Sequence, residues 1–300
     1  MANQGPKSGQ RKPKSQYARK KKRSGPPAHR PVPWVIWLFA GILVAVAVTI
    51  GLSGLGNKPA PTYSATNGKP IPASLWTELT SIPPAVWNPL GIQHAVLPRV
   101  ARPLATSAPT VQYIGGEFCP YCAAERWALS IALSRFGTLS GVKFMHSATN
   151  DVFPNTPTMS YYGAHYKSPY ITASLVEQYT RQHQPLERLT PFEVKLLETY
   201  DVPPYVPASQ YDFSIPFVLI GGRYVWIGAG YQPTLLAGMD WPQIVATIRS
   251  GQGPLAQGVL VTANELTAAI CASDGNRPGS VCNQSAIKEG ELTLPQAGLP

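Results

Sequence analysis

The sequence predicts an α/β domain carried behind one N-terminal membrane-spanning helix. Three observations lead there. A basic tail runs into a long uncharged apolar stretch. A short apolar strand pattern breaks at Gly115-Gly116 and continues as a long helical pattern. Further on, two short apolar runs flank Gly221-Gly222-Arg223 and lead into another helical segment. Strand periods interleaved with helical ones are the pattern of an α/β domain.

The composition narrows the classes. A chain of 300 residues is long enough to bury a sizeable core. Charged residues make up only 13%, about half the usual share. The 32 prolines and 26 glycines make it turn-rich, but they show no collagen period, and the chain is too apolar for full disorder. Four cysteines in this length exclude a disulfide-dense mini-scaffold. The net charge of +10 belongs to the tail: residues 1–30 carry ten of the 25 Lys/Arg and no acid. The remaining 270 residues balance 15 bases against 15 acids. A nucleic-acid-binding body would carry its own basic face, so nucleic acid is not an expected partner.

Residues 1–30 are read as a cytoplasmic tail and 33–55 as a transmembrane helix. No charge occurs from Pro31 through Asn57, and the strongly apolar part matches the roughly 20 residues that cross a hydrocarbon core. Trp34 and Trp37 stand where amphipathic rings favour the interface. A cleaved signal peptide and a buried soluble helix compete with this reading. The apolar run is longer than the ~7–15 residues of a signal peptide, and no A-x-A site follows it. Excess Lys/Arg before the span keeps the N-terminus in the cytoplasm and the body outside it. Residues 56–84 are Pro-rich and read as a spacer. The domain itself is expected over 85–290, with a short strand near 92–97.

Within that domain, residues 111–114 read as a buried strand, and Cys119-Pro120-Tyr121-Cys122 opens a helix. Pro120 suits the first helical position because its missing N–H would have had no partner there. From Ala123 the helix is apolar around most of its girth, with Arg126, Ser130 and Ser134 as a thin polar stripe. Such a helix is buried on more than one side. A thiol at a helix N-terminus ionises easily, because unpaired N–H groups and the helix dipole favour negative charge. Cys119 is therefore the expected exposed attacking sulfur and Cys122 the partly buried resolving one. A C-x-x-C on a strand–helix unit is a thioredoxin-like signature.

Two plainer readings stand beside it. Half a zinc site would need two further ligands, and neither Cys271 and Cys282 nor the five histidines show ligand spacing. No metal and no cofactor are expected. A static disulfide between Cys119 and Cys122 is the other alternative. Downstream, 214–228 reads as a hairpin with Pro216 at the start of its first strand, followed by a helix over 241–249 ended by Ser250-Gly251.

The stretch GGEFCPYCAAERWALSIALSRFGTLSGV, with DVFPNTPTMSYYG and YKSPYI after it, resembles the uncharacterised prokaryotic domain-of-unknown-function family nine-two-nine, which is thioredoxin-like in style. The likeness covers about 85–285. It implies a thioredoxin-like fold with a helical and hairpin insertion, and it implies no substrate. By similarity with thioredoxin-like oxidoreductases, Cys119 and Cys122 take the places of the exchanging pair and Pro216 that of the cis-proline facing them. Phe118 stands where thioredoxin has Trp, and no buried acid of the thioredoxin type is apparent. Glu117 and Glu125 read as solvated surface charges.

Between the helix and the Ile-Pro hairpin lie about 75 residues read as the insertion. A strand is expected over 141–148, a hairpin from 158–162 and 171–179, and a capped helix from Thr190-Pro191-Phe192-Glu193 to about Tyr200. Tyr161, Tyr162, Tyr166 and Tyr170 either line a substrate groove or pack internally, with packing preferred. Cys271 closes a helical segment over 263–272, and Cys282 follows across a short loop. Outside the cytoplasm the two are expected to form a structural disulfide, a redox relay being the alternative.

The function these expectations add up to is a membrane-anchored, extracytoplasmic thiol–disulfide oxidoreductase. Its expected partners are protein thiols or disulfides and a membrane redox protein. The alternative is a non-enzymatic binding or assembly protein built on the same fold.

Overall fold

A computed structural model describes residues 66–93, 110–206 and 214–295. By compactness the chain divides into 1–58 and 59–300, and every described residue belongs to the second unit. The tail, the expected span at 33–55 and most of the expected strand near 92–97 lie outside the described residues.

A four-stranded mixed sheet is the centre of the body. Its strands are β1 (Val111–Gly115), β6 (Ala173–Glu177), β7 (Phe217–Ile220) and β8 (Tyr224–Ile227), in the order β6-β1-β7-β8. β6 runs parallel to β1, and β7 and β8 follow as antiparallel neighbours. Side chains alternate between the two faces, as a strand requires. Val111, Tyr113, Val218, Ile220, Tyr224 and Trp226 enter the larger core. Ile114, Phe217, Leu219 and Val225 enter a smaller one. Apolar residues on both faces demand a cover on both sides. The larger core is closed by α3 (Pro120–Ser134), α5 (Trp241–Ser250) and α6 (Gly253–Asp274). Across the sheet, Leu196, Leu197 and Tyr200 of α4 (Pro191–Tyr200) close the smaller one.

Local signals in the sequence account for most boundaries. Thr190 and Glu193 form a full capping box with Pro191 at the first helical position. Asp240 and Gln243 do the same for α5. Gly221 and Gly222 turn β7 into β8 with φ of 60° and 61°, a region in which residues bearing a β-carbon are strained.

Several expectations are corrected here. Residues 56–84 do not all form a spacer: α1 (Ala73–Thr80) and α2 (Pro84–Trp87) pack on the body, Leu79 is fully buried, and the Trp76 indole donates to Leu139 O at 3.0 Å. Among the described prolines of 56–84, Pro72 stands at an N-cap, Pro84 at a first helical position, and Pro70 bridges Lys143. The expected hairpin from 158–162 and 171–179 does not form. β4 (Pro157–Ser160) pairs antiparallel with β3 (Lys143–His146), whereas β6 joins β1. Alternating apolar residues specify that a strand is half or fully buried, not which strand it pairs with. The expected insertion is thus interrupted by β6, which belongs to the central sheet. Before β6 lie two small two-stranded sheets, β2 (Thr138–Ser140) with β5 (His165–Lys167) and β3 with β4, and after it the capped helix α4. β4 is buried along its length because it lies on α3: the Trp127 indole donates to Pro157 O and the Thr158 hydroxyl to Ala123 O.

α6 is longer than the expected 263–272. Among the described residues it is the one helix long and apolar enough to cross a membrane, but 83% of its apolar window is buried inside the body. It ends at Gly275, in the left-handed conformation. Cys271 lies on its last turn, at disulfide distance from Cys282 in α7 (Gly279–Cys282), and α8 (Ser285–Thr293) follows.

Candidate functional site

Cys119 is the N-cap of α3. Its backbone is extended (φ −77°, ψ 124°), and its sulfur accepts the N–H of Cys122 at 3.2 Å. Pro120 takes the first helical position. Facing this turn is the start of β7, where the Ile215–Pro216 bond is cis. The Cys119 thiol donates to the Ile215 carbonyl at 3.6 Å. The fold therefore sets Cys119 beside Cys122, both free thiols, and against the Ile215 carbonyl that precedes Pro216.

Burial is deeper than the sequence suggests. Cys119 is only 5% exposed and Cys122 not at all. The attacking sulfur was expected in the open; capping turns it inward, onto the helix N–H groups and the Ile215 carbonyl. The environments of the two thiols nevertheless differ in sign. Burial opposes ionisation of Cys119, but hydrogen bonds from the Cys122 thiol and from the Cys122 and Tyr121 N–H groups outweigh it. Together with the charge of Arg126 they hold the Cys119 thiol below its usual range. Burial pushes Cys122 well above its usual range, and its hydrogen bond to Cys119 adds to the rise.

Arg126 does not lie on a solvent stripe. It is fully buried and donates through Nε and Nη2 to the two carboxylate oxygens of Glu177 at 2.8 and 2.7 Å. Nη2 also donates to the Gly116 carbonyl at 2.8 Å. Burial raises the Glu177 carboxyl and Arg126 pulls it back. The net direction for Glu177 is upward, and the two-pronged geometry of the fork is that of a strong charge-assisted pair. Sequence reasoning missed Glu177 altogether. A signal for Arg126 was present: a helix apolar on most sides leaves no solvent for a cation, so the cation needs a buried partner.

Glu117 and Glu125 are likewise corrected from solvated charges to buried ones, at 7% and 0% exposure. Glu117 accepts from the Ser160 hydroxyl at 2.6 Å and from the Arg181 N–H at 3.3 Å. Glu125 faces α6 and the 228–232 loop, where one oxygen accepts the Gly230 N–H at 3.2 Å. Burial was decided by the insertion and by α6, far away in sequence.

Of the four tyrosines considered as a groove, Tyr161 is buried, with its hydroxyl on Ser130 and the Arg126 carbonyl. Tyr166 bonds the Leu133 carbonyl, and Tyr162 and Tyr170 are exposed. Different aromatics flank the motif. Phe118 stacks on His183 with ring centroids 4.2 Å apart and meets the Tyr179 edge, while Tyr121 meets Phe153. His183 also lines a cleft of about 370 Å³ with Thr149, Asn150, Arg181 and Gln182. Among the described residues no group of three or more His, Cys, Asp or Glu side chains could hold a metal ion.

The family model described as Domain of unknown function (DUF929) matches residues 101–272. The chain belongs to this family. The matched span contains Cys119, Cys122, Arg126, Glu177, Pro216 and Cys271, whereas Cys282 lies beyond it. No curated protein and no solved structure matches the chain.

Proposed function

We propose that this DUF929 chain is a thiol–disulfide oxidoreductase on a thioredoxin-like domain, anchored in the cell membrane with the domain outside the cytoplasm. The observation that carries this is the Cys119 sulfur, capping a helix, receiving the Cys122 N–H and facing the Ile215 carbonyl beside Pro216. The parallel β1–β6 unit with α3 in its crossover, followed by the β7–β8 hairpin, supports the fold reading. The uncharged run over 33–55 behind a basic tail supports the anchor.

In the exchange, the Cys119 thiolate attacks one sulfur of a substrate disulfide. The substrate S–S bond breaks, its second sulfur leaves as a thiolate and takes a proton, and a mixed disulfide forms. Cys122 then gives up its proton, attacks the Cys119 sulfur and expels the second substrate thiol. The substrate gains two electrons and two protons, and Cys119 and Cys122 are left joined. Run in reverse, the same steps oxidise a client dithiol. The asymmetry of the two thiols suits this order, because the thiolate is the attacking species.

The test is trapping. In Cys122→Ser the mixed disulfide has no resolving sulfur, so the full chain, purified in detergent and offered insulin, is expected to accumulate a dithiothreitol-reversible adduct on Cys119. No adduct, with Cys119 still open to alkylation, overturns the reading. The 5% exposure of Cys119 favours a second reading, a non-enzymatic binding or assembly domain. That reading expects an oxidised Cys119–Cys122 pair to survive mild dithiothreitol.

A further inference from the structure

Arg126 places a full charge where the body offers it no water. Stability is a poor explanation, since a buried ion pair is often replaced by apolar residues at no cost. Position is a better one. Cys119, Cys122 and Arg126 stand at i, i+3 and i+7 around the start of α3 and so share one face. The Gly116 carbonyl accepts two donors, Arg126 Nη2 at 2.8 Å and the Cys119 N–H at 3.2 Å. Glu177, which fixes the guanidinium, lies opposite Gly115 in the β1–β6 register. The other ionisable groups facing the cluster are Tyr113 on β1, Tyr161 after β4, and Glu117 in the turn before the motif. Among them Arg126 is the one buried cation, and its Nη1 has no partner.

We propose that Arg126 is the positioning residue of the cysteine pair: it pins the Gly116 turn that carries Cys119 and presents to both sulfurs a positive charge whose strength Glu177 sets. This rests on the exchange reading above, with Cys119 as the attacking thiolate. The guanidinium favours the thiolate form of both sulfurs, and the Glu177 carboxylate opposes it at Cys122. The two partners therefore act in opposite directions on the same sulfur.

The experiment follows the rate of Cys119 alkylation by iodoacetamide against pH in the full reduced chain in detergent, with circular dichroism as the fold control. Glu177→Gln leaves a buried charge unpaired, so its fold is checked first; its side chain keeps one acceptor oxygen for the fork but loses the opposing charge. Its alkylation midpoint is expected to fall by about one pH unit, a roughly tenfold faster reaction below the midpoint. Arg126→Met alone leaves a buried carboxylate unpaired and is strongly destabilising. The companion variant is therefore Arg126→Met with Glu177→Met, which buries no charge. There the midpoint is expected to rise by about half a unit, a roughly threefold slower reaction below it.

Shifts of the same sign in the two variants, or no shift in a folded variant, overturn the proposal. So does a chain that folds only with both charges present, because the pair would then be structural. Failure of insulin trapping in Cys122→Ser would sink the exchange reading but leave these titrations measurable, so the two failures are distinguishable.

Discussion

Glu125 is expected to make the protein lose stability as pH rises, and Glu125→Gln is expected to remove that loss. The carboxyl is fully buried on α3. One oxygen accepts the Gly230 N–H at 3.2 Å, and the other has no partner. Burial pushes it well above the usual carboxylate range, the Gly230 N–H opposes the rise weakly, and Glu265 on α6 adds to it. The folded protein therefore keeps this proton at pH values where the unfolded chain, with an ordinary glutamate near pH ~4.3, has released it. Stability is lost wherever the native state binds more protons than the unfolded one. One such group can cost at most about 1.4 kcal/mol per pH unit, the slope reached where the unfolded carboxyl has ionised and the folded one has not. The contribution is fully retained below pH ~4.3 and disappears as pH climbs toward the raised folded value. Glutamine has the same shape, can accept the Gly230 N–H and does not titrate. Chemical denaturation of the full chain and of Glu125→Gln at pH 5, 6 and 7 reads the difference directly, because all other titrations are shared. The stability advantage of the variant should grow with pH, at no more than that slope. A difference that stays flat across the range would refute the reasoning.

The other expectations are simpler. Trp127→Ala removes a fully buried ring, the indole bond to Pro157 O at 2.9 Å and the packing on Trp241 at 4.2 Å; it should cost about 3–5 kcal/mol in denaturation. Replacing both Cys271 and Cys282 by Ser opens a crosslink of sequence separation 11; it should lower stability by about 3 kcal/mol on the chain-entropy account. Cys119 alkylation should be unchanged in that variant if the pair is a structural clip, and a changed rate would point to a relay. Trapping in Cys122→Ser and the opposed titrations of the Arg126–Glu177 variants complete the set.

Several features were legible in the sequence because neighbours within one turn decide them. Cys119-Pro120-Tyr121-Cys122 opens a helix because a capping side chain and a proline at the first position are local chemistry. Thr190 and Glu193 form their capping box for the same reason. The two short apolar runs at 217–220 and 224–227 around Gly221-Gly222-Arg223 marked a hairpin. The meeting of Cys119 with Ile215 was anticipated only through likeness to thioredoxins, since nothing local encodes a contact across a sequence separation of 96.

Tertiary structure alone decided the rest. Arg126 and Glu177 are 51 residues apart, and each looks like an ordinary surface charge until α3 and β6 lie on one sheet. Glu117, Glu125 and the Cys119 sulfur were expected to meet water, and the insertion, α6 and the start of β7 cover them instead. Whether a group is solvated depends on which distant surfaces close over it, and a side chain's own neighbours in sequence do not carry that information. Local sterics and capping are written residue by residue, whereas burial and charge pairing exist only once the chain has packed.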